Sequence, residues 1–151
     1  MKVVKLLFPF MFHSEKIIFL HRIGAFFYEK NYLRLSLFIE GIILTFFSCA
    51  ISSQAKIGNN FKLPHPLGVV IGAGCIIGNN VSIYQNVTLG RKSHDLPLYP
   101  QLLNNIIIYP NSVVLGDVTI HDNAIVGACS LVINHIDKDS INVGSPSKRI
   151  R

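Results

Sequence analysis

The sequence predicts an all-β chain coiled as a parallel β-helix behind a short α-helical region, and three observations carry that reading. From Ile57, branched aliphatic residues recur every sixth place, at 57, 63, 71, 77, 83 and 89, then at 108, 114, 120, 126 and 132. The fifth place of most hexads is small or β-branched: Cys75, Val81, Val87, Ser112, Val118, Ala124 and Ser130. Gly, Asn and Asp crowd the places between, where a tightly turning chain passes through positive φ. A period of six belongs to neither a helix nor a plain strand; it marks a solenoid in which each hexad supplies one strand and one turn. The first place points inward and the fifth fills a corner. A single coil cannot bury its own core, so about four or five coils must stack.

Residues 1–50 read as helical. In "SEKIIFLHRIGAFFYEK", Ser14 stands where a cap belongs, and Ile17, Leu20, Ile23, Gly24 and Phe27 share one stripe. "NYLRLSLFIEGIILTFF" follows with Asn31 as its expected cap, so two helices and a short turn are the economical arrangement. The run "LLFPFMF" behind Lys2 and Lys5 is short, contains Pro9 and lacks a small-x-small cleavage site, which argues against a leader peptide. Residues 35–52 approach the ~20 residues needed to span a bilayer, but Glu40 lies inside them and favours a buried or interfacial helix. The β-helix is assigned to residues 51–151, with an excursion at 91–106 and a C-terminal tail at 138–151.

Composition narrows the partners. The 151 residues suit one domain; 50% are hydrophobic and only 15% charged, which calls for burial against other chains or a membrane. The net charge of +6 gathers in the N-terminal third and at Lys148, Arg149 and Arg151. No basic run is interleaved with aromatics, so nucleic acid is not an expected partner. The basic N-terminal helices suit a membrane-peripheral position and, equally, a solvated face. Cys49, Cys75 and Cys129 form no CxxC pair, which points to buried thiols in a reducing, cytoplasmic setting.

Two breaks interrupt the repeat. Leu63 and Ile71 are eight residues apart, and the two extra residues fall beside His65 in "KLPHPLGVVIG". The second break, "RKSHDLPLYPQLLNNII", is polar and contains prolines. Insertions in a solenoid emerge as loops, often on its binding face, and both of these carry a histidine.

"GVVIGAGCIIGNNVSIYQNVTLG", "VVLGDVTI", "IVGACSLV" and the terminal "NVGSPSKRI" resemble the hexapeptide-repeat acyltransferases, on the serine acetyltransferase-like branch that includes O-acetyltransferases of surface polysaccharides. The resemblance implies a left-handed β-helix, a homotrimer, and acetyl-CoA in a groove between adjacent subunits. It places His65 at the catalytic histidine, a neutral imidazole that takes a hydroxyl proton as the oxygen attacks the thioester. It also places Gly127 and Ala128, then Gly144, Ser145, Pro146, Lys148 and Arg149, along the coenzyme.

The chain departs from the family pattern at three places. Ala50 and Pro64 stand where the family carries carboxylates, and Tyr99 stands where serine acetyltransferases have a second histidine; His94 and Asp95 lie nearby as accessory candidates. Free serine brings an ammonium that wants an acid, so the missing carboxylates favour a neutral saccharide hydroxyl. The expectation is therefore an acetyl-CoA-dependent O-acetyltransferase of surface polysaccharide. Serine O-acetylation and a non-catalytic β-helix module are the alternatives. His65, His94 and His121 lack the close pairing of a zinc site, so no metal is expected.

Overall fold

A computed structural model describes residues 13–93 and 95–151. The "LLFPFMF" run and His94 lie outside the described residues. Helices α1 (His13–Glu29) and α2 (Leu33–Phe47) precede fourteen short strands. In α1 the apolar stripe holds: Ile17 and Gly24 are buried, while Leu20, Ile23 and Phe27 are half-buried. His21 belongs to the same stripe and is buried too.

Both expected caps fall elsewhere. Ser14 lies inside α1 rather than ahead of it. Asn31 takes φ +61° and makes the left-handed turn between the helices, leaving Tyr32 as the N-cap of α2 without a side-chain cap bond. Asparagine tolerates that conformation better than most residues, and here the turn claims it.

The remaining chain is a left-handed parallel β-helix of three sheets. One contains β1 (Ala50–Ile51), β3 (Val70–Ile71), β6 (Thr88–Gly90), β9 (Val113–Leu115) and β12 (Leu131–Val132), stacked in that order. The second stacks β2 (Lys56–Ile57), β4 (Ile76–Ile77), β7 (Gln101–Leu102) and β10 (Thr119–Ile120). The third stacks β5 (Ser82–Ile83), β8 (Ile107–Ile108), β11 (Ile125–Val126) and β13 (Ile141–Val143), and β14 (Lys148–Arg149) closes it in antiparallel sense.

Register turns the six-residue period into columns. Ile51, Ile71, Leu89, Val114 and Val132 pair in sequence up the first sheet. Ile57, Ile77, Leu102 and Ile120 do so in the second, and Ile83, Ile108 and Val126 in the third. All but Ile57 are buried, as are the seven fifth-place residues. Each fully buried Ile or Leu contributes about 1.5–3 kcal/mol relative to exposure.

The excursion is shorter than 91–106. The chain rejoins the framework at Leu102, which is buried one hexad before Ile108. The C-terminal segment is ordered as well: Asn142 ends the third column, paired with Val126, and its amide donates to Ser140 Oγ at 2.9 Å.

Corners are made by asparagine. Asn60, Asn80, Asn105, Asn123 and Asp139 all have φ between +54° and +62°. Each Asn amide donates to the side-chain oxygen of the next coil's residue, at 2.8, 3.0, 3.1 and 2.7 Å. A parallel ladder runs from the backbone N–H of Asn59, Asn79 and Asn104 to Asn79, Asn104 and Asp122.

The helices join the first coil through a polar cluster. His21 Nε2–H donates to the Ser52 carbonyl at 3.1 Å, and Glu40 Oε1 accepts the Ser53 N–H at 2.6 Å. No helix among the described residues is long and apolar enough to cross a membrane.

Two outcomes follow. Asn105→Ala loses both ladder bonds and replaces a residue that tolerates the left-handed region with one that does not, costing about 2 kcal/mol, whereas Asn105→Gly keeps the conformation and costs about half as much; urea unfolding of the two variants checks the order. Burial lowers the His21 pKa below the usual 6.5, so the folded chain holds the ring neutral while the unfolded chain binds the proton. Stability is therefore full above about pH 6.5 and declines as pH falls below it. His21→Gln should lose that part of the acid sensitivity, read as the difference in Tm between about pH 7.5 and about pH 5.5.

Candidate active site

The eight-residue step after Leu63 comes out as a bulge. Phe61 and Leu63 point inward, Pro64, His65 and Leu67 are exposed, and Val69 returns to the core. Neither flanking proline offers a donor, so the bulge is held by its carbonyls and by Gly68. The Gly68 N–H donates to the Ser48 carbonyl and the Leu67 carbonyl accepts from the Asn86 N–H, both at 2.9 Å. Gly68 has φ +68°, and a Cβ there would run into Asn86 Oδ1. The Cys49 thiol donates to the Pro66 carbonyl. Burial raises the pKa of that thiol, which keeps it protonated and a donor.

His65 faces an aromatic stack. Its ring lies 6.1 Å from Tyr84 at 52°, and Tyr84 stacks on Tyr109 at 5.3 Å and 21°. These rings occupy one edge of the solenoid, where each coil passes from the third sheet to the first. The edge is continuous: the Asn86, Asn111 and Cys129 N–H groups donate to the Leu67, Gln85 and Pro110 carbonyls. Asn86 and Asn111 take positive φ here, and so does Cys129, an exposed thiol in the place an asparagine fills on the coils below.

Gly127 and Ala128 turn the same edge one coil further on, and Gly144, Ser145 and Pro146 turn it last. The Gly144 carbonyl accepts from the Leu131 N–H at 2.9 Å. Four coil steps separate the His65 turn from the Gly144 turn, about 19 Å at the usual strand spacing. Lys148 and Arg149 are exposed beyond it, and Arg149 Nη1 lies 3.6 Å from Asp137 Oδ2. His65 and the seven coenzyme candidates thus lie on, or just beyond, one edge.

The accessory candidates lie elsewhere. Asp95 is exposed and engages Ser93, whose hydroxyl accepts the Asp95 N–H at 3.2 Å. Tyr99 is half-buried over Gly72 and Gly74, where a β-carbon would collide with its ring. Neither is a hydrogen-bond or ring partner of His65 among the described residues. His121 sits at a different corner, following β10. Sequence reasoning passed over Tyr84 and Tyr109, although the hexads "IYQNVT" and "IYPNSV" place tyrosine directly after an inward isoleucine both times.

A family model described as bacterial transferase hexapeptide (six repeats) matches residues 100–134. The serine acetyltransferase of Bacillus pumilus is 35% identical over 132 residues, covering 87% of this chain and 61% of that protein. The structure of Neisseria gonorrhoeae serine acetyltransferase in complex with serine superposes with a TM-score of 0.90 at 29% identity, over 99% of this chain and 60% of that one. A serine acetyltransferase in complex with CoA does so with a TM-score of 0.84 at 29% identity, over 89% and 55%. The chain therefore spans 55–61% of the length of these relatives.

Matches of this kind overturn the expectation of a saccharide acceptor and, with it, of a role in polysaccharide synthesis. That expectation rested on the empty carboxylate places at Ala50 and Pro64, which weigh less than likeness over almost the whole chain. With a repeat-family match inside the solenoid and enzymes of one kind matching both solenoid and helices, the chain shares the left-handed β-helix of the hexapeptide-repeat acyltransferases and is similar to their serine acetyltransferase-like branch.

Proposed function

We propose that the protein is an acetyl-CoA-dependent serine O-acetyltransferase with His65 as its general base. The observation that carries this reading is the shared solenoid edge. It presents an exposed histidine at one end and turns of small residues at the other, in a fold that matches structures in complex with serine and with CoA.

On this reading the pantetheine arm lies along the edge past Ala128 and Gly127. Gly144, Ser145 and Pro146 form its far wall, and Lys148 and Arg149 meet phosphate. Small residues leave room for close approach of the arm. Neutral His65 accepts the serine hydroxyl proton as the oxygen bonds to the acetyl carbon. Backbone N–H groups at the turn receive the charge that develops on the carbonyl oxygen. The carbon–sulfur bond then breaks, and the proton held by His65 leaves with the coenzyme thiol.

Gln85 adds support, since its Oε1 is buried on this edge without a hydrogen-bond partner among the described residues. A buried acceptor left unpaired costs about 1–3 kcal/mol, which a donor from ligand or neighbouring subunit relieves. The reading includes a homotrimer. Phe38, Leu44 and Phe46 on α2 and Val70 and Ile76 on the sheets are exposed apolar residues that subunit contact covers.

Serine-dependent thiol release from acetyl-CoA tests the proposal. His65→Ala should lower kcat/KM by about 10²–10⁴-fold, with Tm unchanged because His65 is exposed. Serine-dependent release that survives His65→Ala at full rate, or its absence in the wild type, overturns it.

A further inference from the structure

A base works best when something holds its ring in one orientation, and His65 has no polar group for that task. Among the described residues no hydrogen bond reaches either of its ring nitrogens, and the side chain stands exposed on the bulge. What it meets is aromatic. The Tyr84 ring lies 6.1 Å away, and the two planes meet at 52°.

Tyr84 is anchored where His65 is not. Lys62 bridges Ser82 in parallel register, which sets the start of the bulge against the coil that carries Tyr84. The neighbouring Ile83 is fully buried, and its N–H donates to the Lys62 carbonyl at 3.0 Å. The Tyr84 N–H donates to the Ile108 carbonyl at 3.0 Å, and the Tyr109 N–H to the Val126 carbonyl at 2.9 Å. One ladder thus fixes both tyrosines in a single column. Their rings stack at 5.3 Å and 21°, so the Tyr84 ring packs against both Tyr109 and His65.

The contact also has an electrostatic consequence. A cation about 6 Å from a tyrosine centroid is drawn to the negative face of the ring, and a neutral imidazole is drawn less. The attraction therefore grows as His65 takes up the acceptor's proton, which is where added stabilisation raises the rate.

We propose that Tyr84, backed by Tyr109, is a positioning residue of the transfer, holding the His65 ring on the edge and steadying the charge it acquires. The inference rests on the reading of His65 as general base. Its working part is the π face, and the phenol hydroxyl plays no role.

Tyr84→Leu is the test, because leucine keeps an apolar side chain on the coil but removes the π face. Serine-dependent thiol release from acetyl-CoA should show kcat lowered about three- to tenfold, with KM for serine and acetyl-CoA unchanged. Tyr84→Phe should rescue that loss, and Tyr109→Leu should reproduce a smaller part of it. In a His65→Ala background, Tyr84→Leu should lower the residual rate no further, since its effect passes through His65. The His65 Cε1–H resonance, identified by its absence from the His65→Ala spectrum, should shift more in Tyr84→Leu than in Tyr84→Phe. A Tyr84→Leu enzyme with the wild-type kcat overturns the inference and leaves the transferase standing. So does a loss of equal size in both His65 backgrounds, or one that Tyr84→Phe shares in full. Wild-type protein that releases no thiol with serine, or His65→Ala protein at full rate, overturns the underlying reading and the inference with it.

Discussion

Everything in this molecule depends on turning a corner every six residues without leaving a backbone amide unpaired. Strands of two or three residues have almost no stability of their own, so each must find its partners one coil above and one below. The left-handed corners make that register possible, and asparagine makes the corners. Its short amide side chain tolerates positive φ and also reaches the same residue of the next coil, so one residue type sets the turn and ties the stack. The ladder ends chemically as well as physically: Asp139 accepts and has no amide to pass on. Asn142 similarly closes the third aliphatic column, with β14 folded back over it.

A period this strict makes every departure visible. Two surplus residues between Leu63 and Ile71 cannot enter the core, so they emerge at an edge, and the flanking prolines ensure that no sheet pairing draws them back. The same logic places Gly127, Ala128 and the final turn on that edge, because residues at equal phase in successive coils stack. Reactive groups far apart in sequence are therefore collinear by construction. The rigid ladder between them fixes the spacing between His65 and the Gly144 turn, which the proposed transfer requires of its base and coenzyme wall.

Much of this was legible from the chain alone. The first-place aliphatics identified ten buried core residues because burial and period coincide there. Leu102 was missed because "LLNNII" lies in a stretch already marked polar. Yet Asn104 and Asn105 repeat the corner pair Asn79 and Asn80, and that pair was the signal that the loop had ended. Asn31 was assigned to a cap because caps and left-handed turns favour the same residue, and only backbone geometry tells them apart. Tyr99 read as a site residue from its alignment position, whereas its ring covers two glycines of the coil beneath.

The polar cluster at the open end of the solenoid was missed for a related reason. A search for acids along the coil follows the repeat, but the first coil is not bounded by the repeat; it is bounded by the helices. α1 and α2 close the open end of the solenoid, and an end cap necessarily places helical side chains against the first strands. His21 and Glu40 are the polar residues that this packing brings to Ser52 and Ser53. Neither lies in a hexad, and nothing in the sequence relates position 40 to position 50 except that a helix and a left-handed Ser48 intervene. Absence of an acid from one place in a family's pattern is thus weaker evidence about an acceptor than likeness over almost the whole chain.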